Sequence, residues 1–180
     1  MFKKILIALA ALIVVILIAA SLQKPDFTVS RSITVAAAPA KVFGLVNDLH
    51  RWDAWDPWIK MDPAMKTTFE GPAAGVGSAY GWSGNSKVGV GKMTITESKP
   101  SEKVALRLDF EKPMKDTCTA EFTFKPEGKG TVVTWSMMGK KSFPAKVMCL
   151  FMSMDKMVGG TFEKGLADIK AAAEAAPKKK

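Results

Sequence analysis

Residues 147–176 read VMCLFMSMDKMVGGTFEKGLADIKAAAEAA, and no other segment after residue 22 has so long a one-sided apolar pattern. Its apolar side chains recur at intervals of three and four, which places them in one wide stripe along an α-helix. Pro144, just upstream, suits a first helical turn, where its missing N–H would have no partner in any case. The pattern predicts one long helix laid across a sheet that curves around it. The stripe comprises Val147, Leu150, Phe151, Met154, Val158, Phe162, Leu166 and Ile169.

The sequence between residues 27 and 139 predicts mostly β-strands, which are separated by turns rich in Gly and Pro. In residues 117–124, for example, every second residue is apolar and the residues between them are Thr or Glu. Serial hairpins with one apolar face form an antiparallel sheet with one solvated side, and the long helix then covers the other side. The predicted strands are residues 27–35, 65–70, 78–83, 88–97, 103–110, 116–125 and 131–138.

A tryptophan-rich segment follows a short helix that is predicted for residues 41–49. Residues 49–58, LHRWDAWDPW, hold three of the five tryptophans in the chain. Trp52 and Trp55 are three residues apart and can share one helical face. Pro57 is expected to end any helix, so Trp58 is expected to lie beyond it.

The first 22 residues form a separate unit. Two lysines precede an uninterrupted apolar run, residues 5–20, which approaches the roughly 20 residues that a membrane-spanning helix needs. The length favours a membrane anchor, while the small residues at 19–21 leave a cleaved signal peptide open. The leading lysines favour a single-pass topology with the globular domain on the extracytoplasmic side, although Lys24 and Arg31 leave the opposite orientation open. The sequence thus divides into an anchor or signal segment (1–22), a globular domain (23–176) and a basic tail (177–180).

The net charge of +9 does not indicate a nucleic-acid partner. Five of the positive charges lie outside the predicted domain, at Lys3, Lys4 and residues 178–180. The others are scattered over several strands, without a cluster of arginines and aromatic residues on one element. An anionic membrane surface is a better partner for terminal lysines.

The residues that carry most enzyme and metal chemistry are sparse. Cys118 and Cys149 are either two small buried hydrophobic residues or one disulfide. His50, the single histidine, is interpreted as a surface residue, and no metal site or cofactor is predicted. Asp53 and Asp56 flank Trp55, where they cap the loop or act as a general acid or base. The sequence therefore leaves an enzymatic activity open and favours none.

Five short motifs in this order carry a resemblance that spans residues 27–174. The chain resembles the Bet v 1-like helix-grip superfamily, which includes START lipid-transfer domains and polyketide cyclases. It is most similar to the bacterial polyketide cyclase/dehydrase and lipid transport (SRPBCC) proteins with an N-terminal membrane segment. The motifs are Ala38-Pro39-Ala40-Lys41-Val42-Phe43, Arg51-Trp52-x-x-Trp55-x-Pro57-Trp58, Gly71-Pro72-x-x-Gly75-x-Gly77, Gly91-x-Met93-x-Ile95 and Phe162-Glu163-x-Gly165-Leu166.

This resemblance implies an α+β helix-grip fold, in which a curved antiparallel sheet wraps around the long C-terminal helix and encloses a deep apolar cavity. A packed core without a cavity is the alternative. Gly159 and Gly160, in the middle of the long helix, indicate a bend or a close approach. Phe69 is assigned to the inward face of the sheet. The other inward residues, predicted to bind a ligand, are Trp52, Trp55, Tyr80, Trp82, Met93, Leu106, Phe122, Trp135, Met137, Met154, Val158 and Phe162.

The predicted function is membrane-anchored binding of a hydrophobic small molecule or lipid between the sheet and the long helix. The many aromatic and methionine side chains on the inward faces suit such a ligand. One alternative is a polyketide cyclase-like enzyme that acts in the same cavity. Another is a partner-binding module that uses Trp55 and Trp58 as exposed anchors.

Overall fold

Seven antiparallel strands form one curved sheet in the computed structural model, which describes residues 1–175. The strand order across this sheet is β1-β7-β6-β5-β4-β3-β2, so β1 and β2 are its edges. The antiparallel arrangement confirms the prediction from serial hairpins. The strands are β1 (Asp26–Val35), β2 (Lys66–Glu70), β3 (Ala79–Ser83), β4 (Val90–Lys99), β5 (Lys103–Lys112), β6 (Asp116–Glu127) and β7 (Gly130–Lys140).

The helices lie at both ends of the chain and between the first two strands. A 3₁₀ helix (Leu49–Ala54) links two of the short helices and carries Trp52. The α-helices are α1 (Phe2–Ser21), α2 (Pro39–Asn47), α3 (Pro57–Met61), α4 (Phe143–Met148) and α5 (Met154–Glu174). This order confirms the predicted helix-grip architecture.

The core lies between the inner face of the sheet and α5. In β6 the apolar residues are buried and alternate with partly or fully exposed Thr and Glu residues, because successive side chains of a strand point to opposite faces. Phe122 of β6 is paired in register with Trp135 of β7, and their rings stack at 4.7 Å. From α5, Phe162, Leu166 and Ile169 pack onto this face.

The prediction of one unbroken helix over residues 147–176 is wrong at its N-terminal part. The helix α4 ends at Met148, and α5 begins after Ser153, whose hydroxyl accepts a hydrogen bond from the Lys156 N–H at 3.3 Å. Serine is favoured at N-cap positions because its hydroxyl accepts such a hydrogen bond, so a new helix starts there. Phe151 lies in the intervening turn and is 76% exposed. Ala176 and the basic tail lie outside the described residues.

Gly159 allows a close approach, which is one of the two alternatives that the glycine pair left open. The Arg31 guanidinium of β1 lies against it, and a Cβ at this position would overlap the guanidinium. Arg31 donates hydrogen bonds to Asp155 at 2.7 Å and to Glu163 at 2.7 Å, one turn before and one turn after the glycine. This pairing ties the first half of α5 to β1, whereas Gly160 faces open space.

The N-terminal helix α1 is exposed along most of its length. It is long and apolar enough to cross a membrane. Its last turns contact α4, where Ala20 is buried and Ile16 and Ala19 are half-buried. The same composition is found in signal sequences, so the helix is a candidate for either role.

The two cysteines are separate thiols in this structure. Cys118 is buried in β6, and Cys149 is half-buried just after α4. The disulfide alternative is therefore wrong here. Burial raises the pKa of the Cys118 thiol to about 12, since the thiolate would have to lose its hydration.

Candidate ligand-binding cavity

An apolar cavity of about 140 Å³ lies between the curved sheet and the first half of α5. Four of the five tryptophans contribute to its wall, and α3 and the loop between β3 and β4 contribute single residues. The lining residues are Trp52, Asp56, Trp58, Met65, Tyr80, Trp82, Val88, Met93, Leu106, Leu108, Phe110, Ala120, Trp135, Met137, Val158 and Phe162.

The structure brings nine of the twelve predicted ligand-binding residues to this cavity. The other three, Trp55, Phe122 and Met154, do not line it. Whether the nine bind a ligand stays a prediction. They are Trp52, Tyr80, Trp82, Met93, Leu106, Trp135, Met137, Val158 and Phe162.

Trp55 and Phe122 form a second layer behind the wall. Trp55 is 0% exposed, and its indole N–H donates to the Leu45 carbonyl at 3.0 Å. Phe122 packs against the rings of both Trp55 and Trp135. The hypothesis of exposed tryptophan anchors is therefore wrong for Trp55, and Trp58 is half-buried and lines the cavity.

Trp58 reaches the cavity because Pro57 starts a helix there and does not only end one. Asp56 is the N-cap of α3, and its Oδ1 accepts a hydrogen bond from the Trp58 N–H at 2.9 Å. Proline is common at the first helical position, directly after such a cap. This turn points Trp58 toward Trp135, at a ring distance of 5.7 Å. The Asp56-Pro57 pair is typical of a helix start, but Pro57 was predicted only to end a helix.

Other missed lining residues continue patterns that the sequence already contained. Leu108, Phe110 and Ala120 occupy the same alternating face as Leu106 and Phe122. Met65 and Val88 were predicted as the first residues of strands, but they lie just before β2 and β4 in the structure. The lining residues that sequence reasoning missed are Asp56, Trp58, Met65, Val88, Leu108, Phe110 and Ala120.

Phe69 is on the inner face of the sheet, as predicted, because it is paired in register with Tyr80, but it does not line the cavity. It lies in the edge strand β2, whose residues are all exposed, and it is 42% exposed itself. Its ring stacks on His50 at 4.1 Å. His50 is exposed as expected, with Nδ1 3.3 Å from Asp48 Oδ1.

Trp135 is the centre of the aromatic wall. Its ring stacks on Phe162 of α5 at 4.3 Å with an interplanar angle of 8°. Trp55 and Trp58 meet it edge-on at 5.8 and 5.7 Å, a geometry that aromatic rings prefer. Gly165 permits this packing, because a Cβ there would overlap the Trp135 ring. The wall is thus held by α3, α5 and the sheet together.

Three buried polar groups interrupt the apolar lining. Asp56 and Tyr80 are 2% exposed, and Trp135 is 3% exposed. Burial raises the pKa of Asp56 to about 6, although hydrogen bonds from the Trp58 and Ile59 N–H groups oppose this rise. Burial and the nearby Asp56 charge raise the pKa of Tyr80, so its phenol stays protonated. Tyr80 Oη and Trp135 Nε1 have no hydrogen-bond partner among residues 1–175.

The two aspartates of the tryptophan segment have different environments. Asp56 caps α3, as one hypothesis expected, and it also lines the cavity. Asp53 is exposed to solvent and does not line it. Within residues 1–175, no group of three His, Cys, Asp or Glu side chains is arranged to hold a metal ion.

Solved structures of other proteins share this fold. The hypothetical protein jhp0584 from Helicobacter pylori is similar with a TM-score of 0.64 and 12% identity, over 85% of this chain and 91% of that one. The Aha1 dimer protein from Colwellia psychrerythraea gives 0.57 and 18%, over 82% and 96%. The di-domain ARO/CYC BexL from the BE-7585A biosynthetic pathway gives 0.61 and 14%, over 88% and 53%. At these identities the likeness shows the fold alone.

The comparison of sequences is more specific than the comparison of structures. No curated protein gives a significant match to the chain. A family model described as polyketide cyclase / dehydrase and lipid transport matches residues 26–174, which include the whole sheet and α5. The chain therefore belongs to the polyketide cyclase/dehydrase and lipid transport family.

Proposed function

We propose that the domain binds a hydrophobic small molecule or lipid in the cavity between the sheet and α5. The observation that carries this proposal is a cavity of about 140 Å³ with an almost entirely apolar wall. Protein interiors are otherwise close-packed, so a void of this size is unusual. An engineered apolar cavity of roughly 150 Å³ in another protein stays dry and binds benzene. A single ring therefore fits here without movement of the wall.

A larger ligand requires the rim to move. Six half-buried members of the lining mark where the cavity approaches the surface: Met65, which lies just before β2, and Trp58, Val88, Leu108, Phe110 and Val158. The last five come from α3, the β3–β4 loop, β5 and α5. Displacement of α5 from the loop would widen the cavity, and burial of additional ligand surface would contribute about 25 cal/mol per Å² of apolar area.

We also propose that α1 anchors the domain in a membrane. The first residue of α1 that is shielded from solvent is Ile16, and the helix ends at Ser21. At about 1.5 Å per residue these positions span roughly 8 Å along the helix axis. A spanning α1 therefore holds α4 at the depth of the headgroup region, where interfacial helices insert by about 5–10 Å.

The surface around α4 suits this position. The turn between α4 and α5 exposes several large apolar side chains, of which Phe151 is the most exposed. Lys140, Lys141 and Lys146 flank it and can pair with anionic headgroups. We name this surface the α4 patch, and it comprises Phe143, Met148, Leu150, Phe151 and Met152. Contiguous exposed apolar side chains of this kind mark an interaction surface.

Native mass spectrometry of the gently purified full-length protein in lipid nanodiscs tests the binding proposal. A discrete bound mass is expected in the wild type. Val158→Phe places a ring at the rim and should reduce the bound fraction, whereas Met157→Phe adds a similar ring to α5 outside the lining and should not. An unliganded mass for all three proteins, unchanged after addition of a lipid extract, would contradict the proposal.

Two measurements test the membrane proposal. An anchored protein keeps its intact mass from Met1 and stays in the membrane fraction after alkaline extraction, whereas loss of residues 1–20 would show a cleaved signal. Amide hydrogen exchange of residues 143–152 should be slower in nanodiscs with anionic lipid than in nanodiscs with neutral lipid. Equal exchange in both would contradict headgroup contact of the α4 patch.

A cyclase-like activity is the second candidate, because Asp56 lies in the cavity with a pKa of about 6. A carboxylate poised near neutral pH can remove a proton next to a ketone and later protonate the leaving hydroxyl. Heptane-2,6-dione is a suitable probe, since its aldol cyclisation forms 3-methylcyclohex-2-enone and water. The rate should exceed that of empty nanodiscs, fall in Asp56→Asn and persist in Asp53→Asn. A rate equal to that of the empty nanodiscs would remove this candidate.

A further inference from the structure

The polar groups of the cavity come from three distant parts of the chain. Asp56 is at the start of α3, Tyr80 lies in β3 and Trp135 lies in β7. Each residue is at least 97% buried, and all three line the same cavity. Burial of a polar group is unfavourable unless a hydrogen bond compensates for the lost hydration. Tertiary packing has therefore placed two unpaired polar groups, on Tyr80 and Trp135, at the same cavity as the Asp56 carboxylate, which already accepts hydrogen bonds from the start of α3.

Two of these groups have no partner within the described chain. The buried side-chain atoms of residues 1–175 that lack a hydrogen bond are Tyr80 Oη, Trp135 Nε1 and Ser142 Oγ, and the first two line the cavity. The other buried tryptophans differ, since the N–H groups of Trp52, Trp55 and Trp82 donate to backbone carbonyls at 2.9, 3.0 and 3.4 Å. Buried polar atoms are rarely left unpaired, so the contrast points to a partner that enters the cavity.

The chemistry of the three groups defines that partner. The indole N–H of Trp135 is a donor only, the phenol of Tyr80 donates and accepts, and the ionised carboxylate of Asp56 is an acceptor. A carbonyl oxygen could use the donors but would offer nothing to Asp56. A hydroxyl group both donates and accepts, so it can bond to members of either kind.

We propose that the cavity selects an apolar, ring-sized ligand that carries a hydroxyl group, which bonds to Asp56, Tyr80 and Trp135. A phenol or a cyclic alcohol belongs to this class. The volume of about 140 Å³ sets the size, and the aromatic wall around Trp135 covers the apolar part of the ring. This inference rests on the proposed binding function, because it names the ligand class of the same cavity.

A pair of isosteric probes tests the selection. In p-cresol a hydroxyl replaces one methyl group of p-xylene, so the two differ in hydrogen bonding at nearly equal size. Each is titrated into the full-length protein in nanodiscs, and the indole N–H signals of the tryptophans are followed by NMR. A Trp135→Phe variant identifies the signal of Trp135. Partitioning of the probes into lipid cancels when variants are compared with the wild type.

The variants remove one polar contact at a time. Tyr80→Phe should weaken p-cresol by about threefold to tenfold, the effect of one net hydrogen bond, and leave p-xylene unchanged or tighter. Asp56→Asn keeps an N-cap residue on α3 and should weaken p-cresol by about tenfold or more at pH 8, because a charged acceptor is lost. Thr131→Val is the matched control, since its buried hydroxyl donates to Ala37 O at 2.7 Å outside the cavity.

The outcomes separate this inference from the function on which it rests. If both probes bind and Tyr80→Phe and Asp56→Asn change them equally, hydroxyl selection is overturned and apolar binding stands. Ordered water would then be the partner of the polar groups. If neither probe perturbs a wild-type indole signal, hydroxyl selection is overturned and the cavity does not bind a ring. If Thr131→Val changes the ratio of the two affinities as much as Tyr80→Phe, the effect is structural and the inference falls.

Discussion

Replacement of Asp56 by asparagine should stabilise the protein at neutral pH and remove one component of its pH dependence. The pKa of Asp56 rises from its ordinary value of 3.8 to about 6 because the carboxylate is buried. A group with a raised pKa keeps its proton in the native state over a range where the unfolded chain has lost it. The contribution of Asp56 to native stability therefore falls as pH rises from about 4 to 6, and it is constant above that range.

The size of the effect follows from the same two pKa values. Each tenfold difference in proton affinity corresponds to about 1.4 kcal/mol, so ionisation of Asp56 destabilises the native state by about 3 kcal/mol at pH 7. The Asp56→Asn substitution removes this charge, and the asparagine side chain still caps α3. For a domain of this size, the melting temperature should rise by about 6–12 °C at pH 7. Near pH 3.5 the difference between the two proteins should vanish.

Thermal unfolding of the full-length protein in nanodiscs, followed by tryptophan fluorescence between pH 3.5 and pH 8, measures this difference. Asp53→Asn is the control and should melt like the wild type, because Asp53 is exposed. The ion-paired carboxylates Asp155 and Glu174 have lowered pKa values and lose their stabilising effect as pH falls. They contribute equally to all three proteins. Parallel curves for Asp56→Asn and the wild type over the whole range would refute a buried, ionised Asp56.

Two further predictions concern α5 and the cysteines. Gly160→Ala should raise the free energy of unfolding by about 0.5–1 kcal/mol, because alanine favours a helix and the site faces open space. Gly159→Ala should lower the free energy of unfolding, because the new Cβ displaces Arg31. Chemical denaturation measures both changes, and equal effects of the two substitutions would contradict the contact between Gly159 and Arg31. Cys149 should react with a maleimide in the native protein, while Cys118, which is buried with a pKa of about 12, should react only on unfolding. Mass spectrometry of the labelled peptides checks this order, and equal labelling of both native cysteines would refute it.

Helices and strands with local signals could be predicted from the amino-acid sequence alone. Alternation of apolar and polar residues in β5, β6 and β7 depends only on the opposite directions of neighbouring side chains, so it can be found in a single segment. The spacing of Phe162, Leu166 and Ile169 likewise marks the buried face of α5. These patterns, with the order of five short motifs, were enough to indicate the helix-grip fold and nine residues of the cavity wall.

Position at a sheet edge could not be predicted from the same patterns. Phe69 alternates like a core residue, yet β2 is an edge strand, and its side chains lack a covering layer. The order of strands arises from pairing between segments far apart in the chain. The close contact of Gly159 with Arg31 has the same origin, since it joins α5 to β1 across more than a hundred residues.

The chemistry of the cavity depends on tertiary contacts and could not be predicted from the sequence. An aspartate before a proline predicts a helix cap, but burial of Asp56 depends on how α3 closes against the sheet. Tyr80 and Trp135 read as ordinary inward aromatic residues, and the absence of partners for their polar atoms within residues 1–175 appears only once every neighbour is in place. Hydrogen-bond satisfaction depends on the positions of all surrounding groups, so no local pattern in the sequence encodes it.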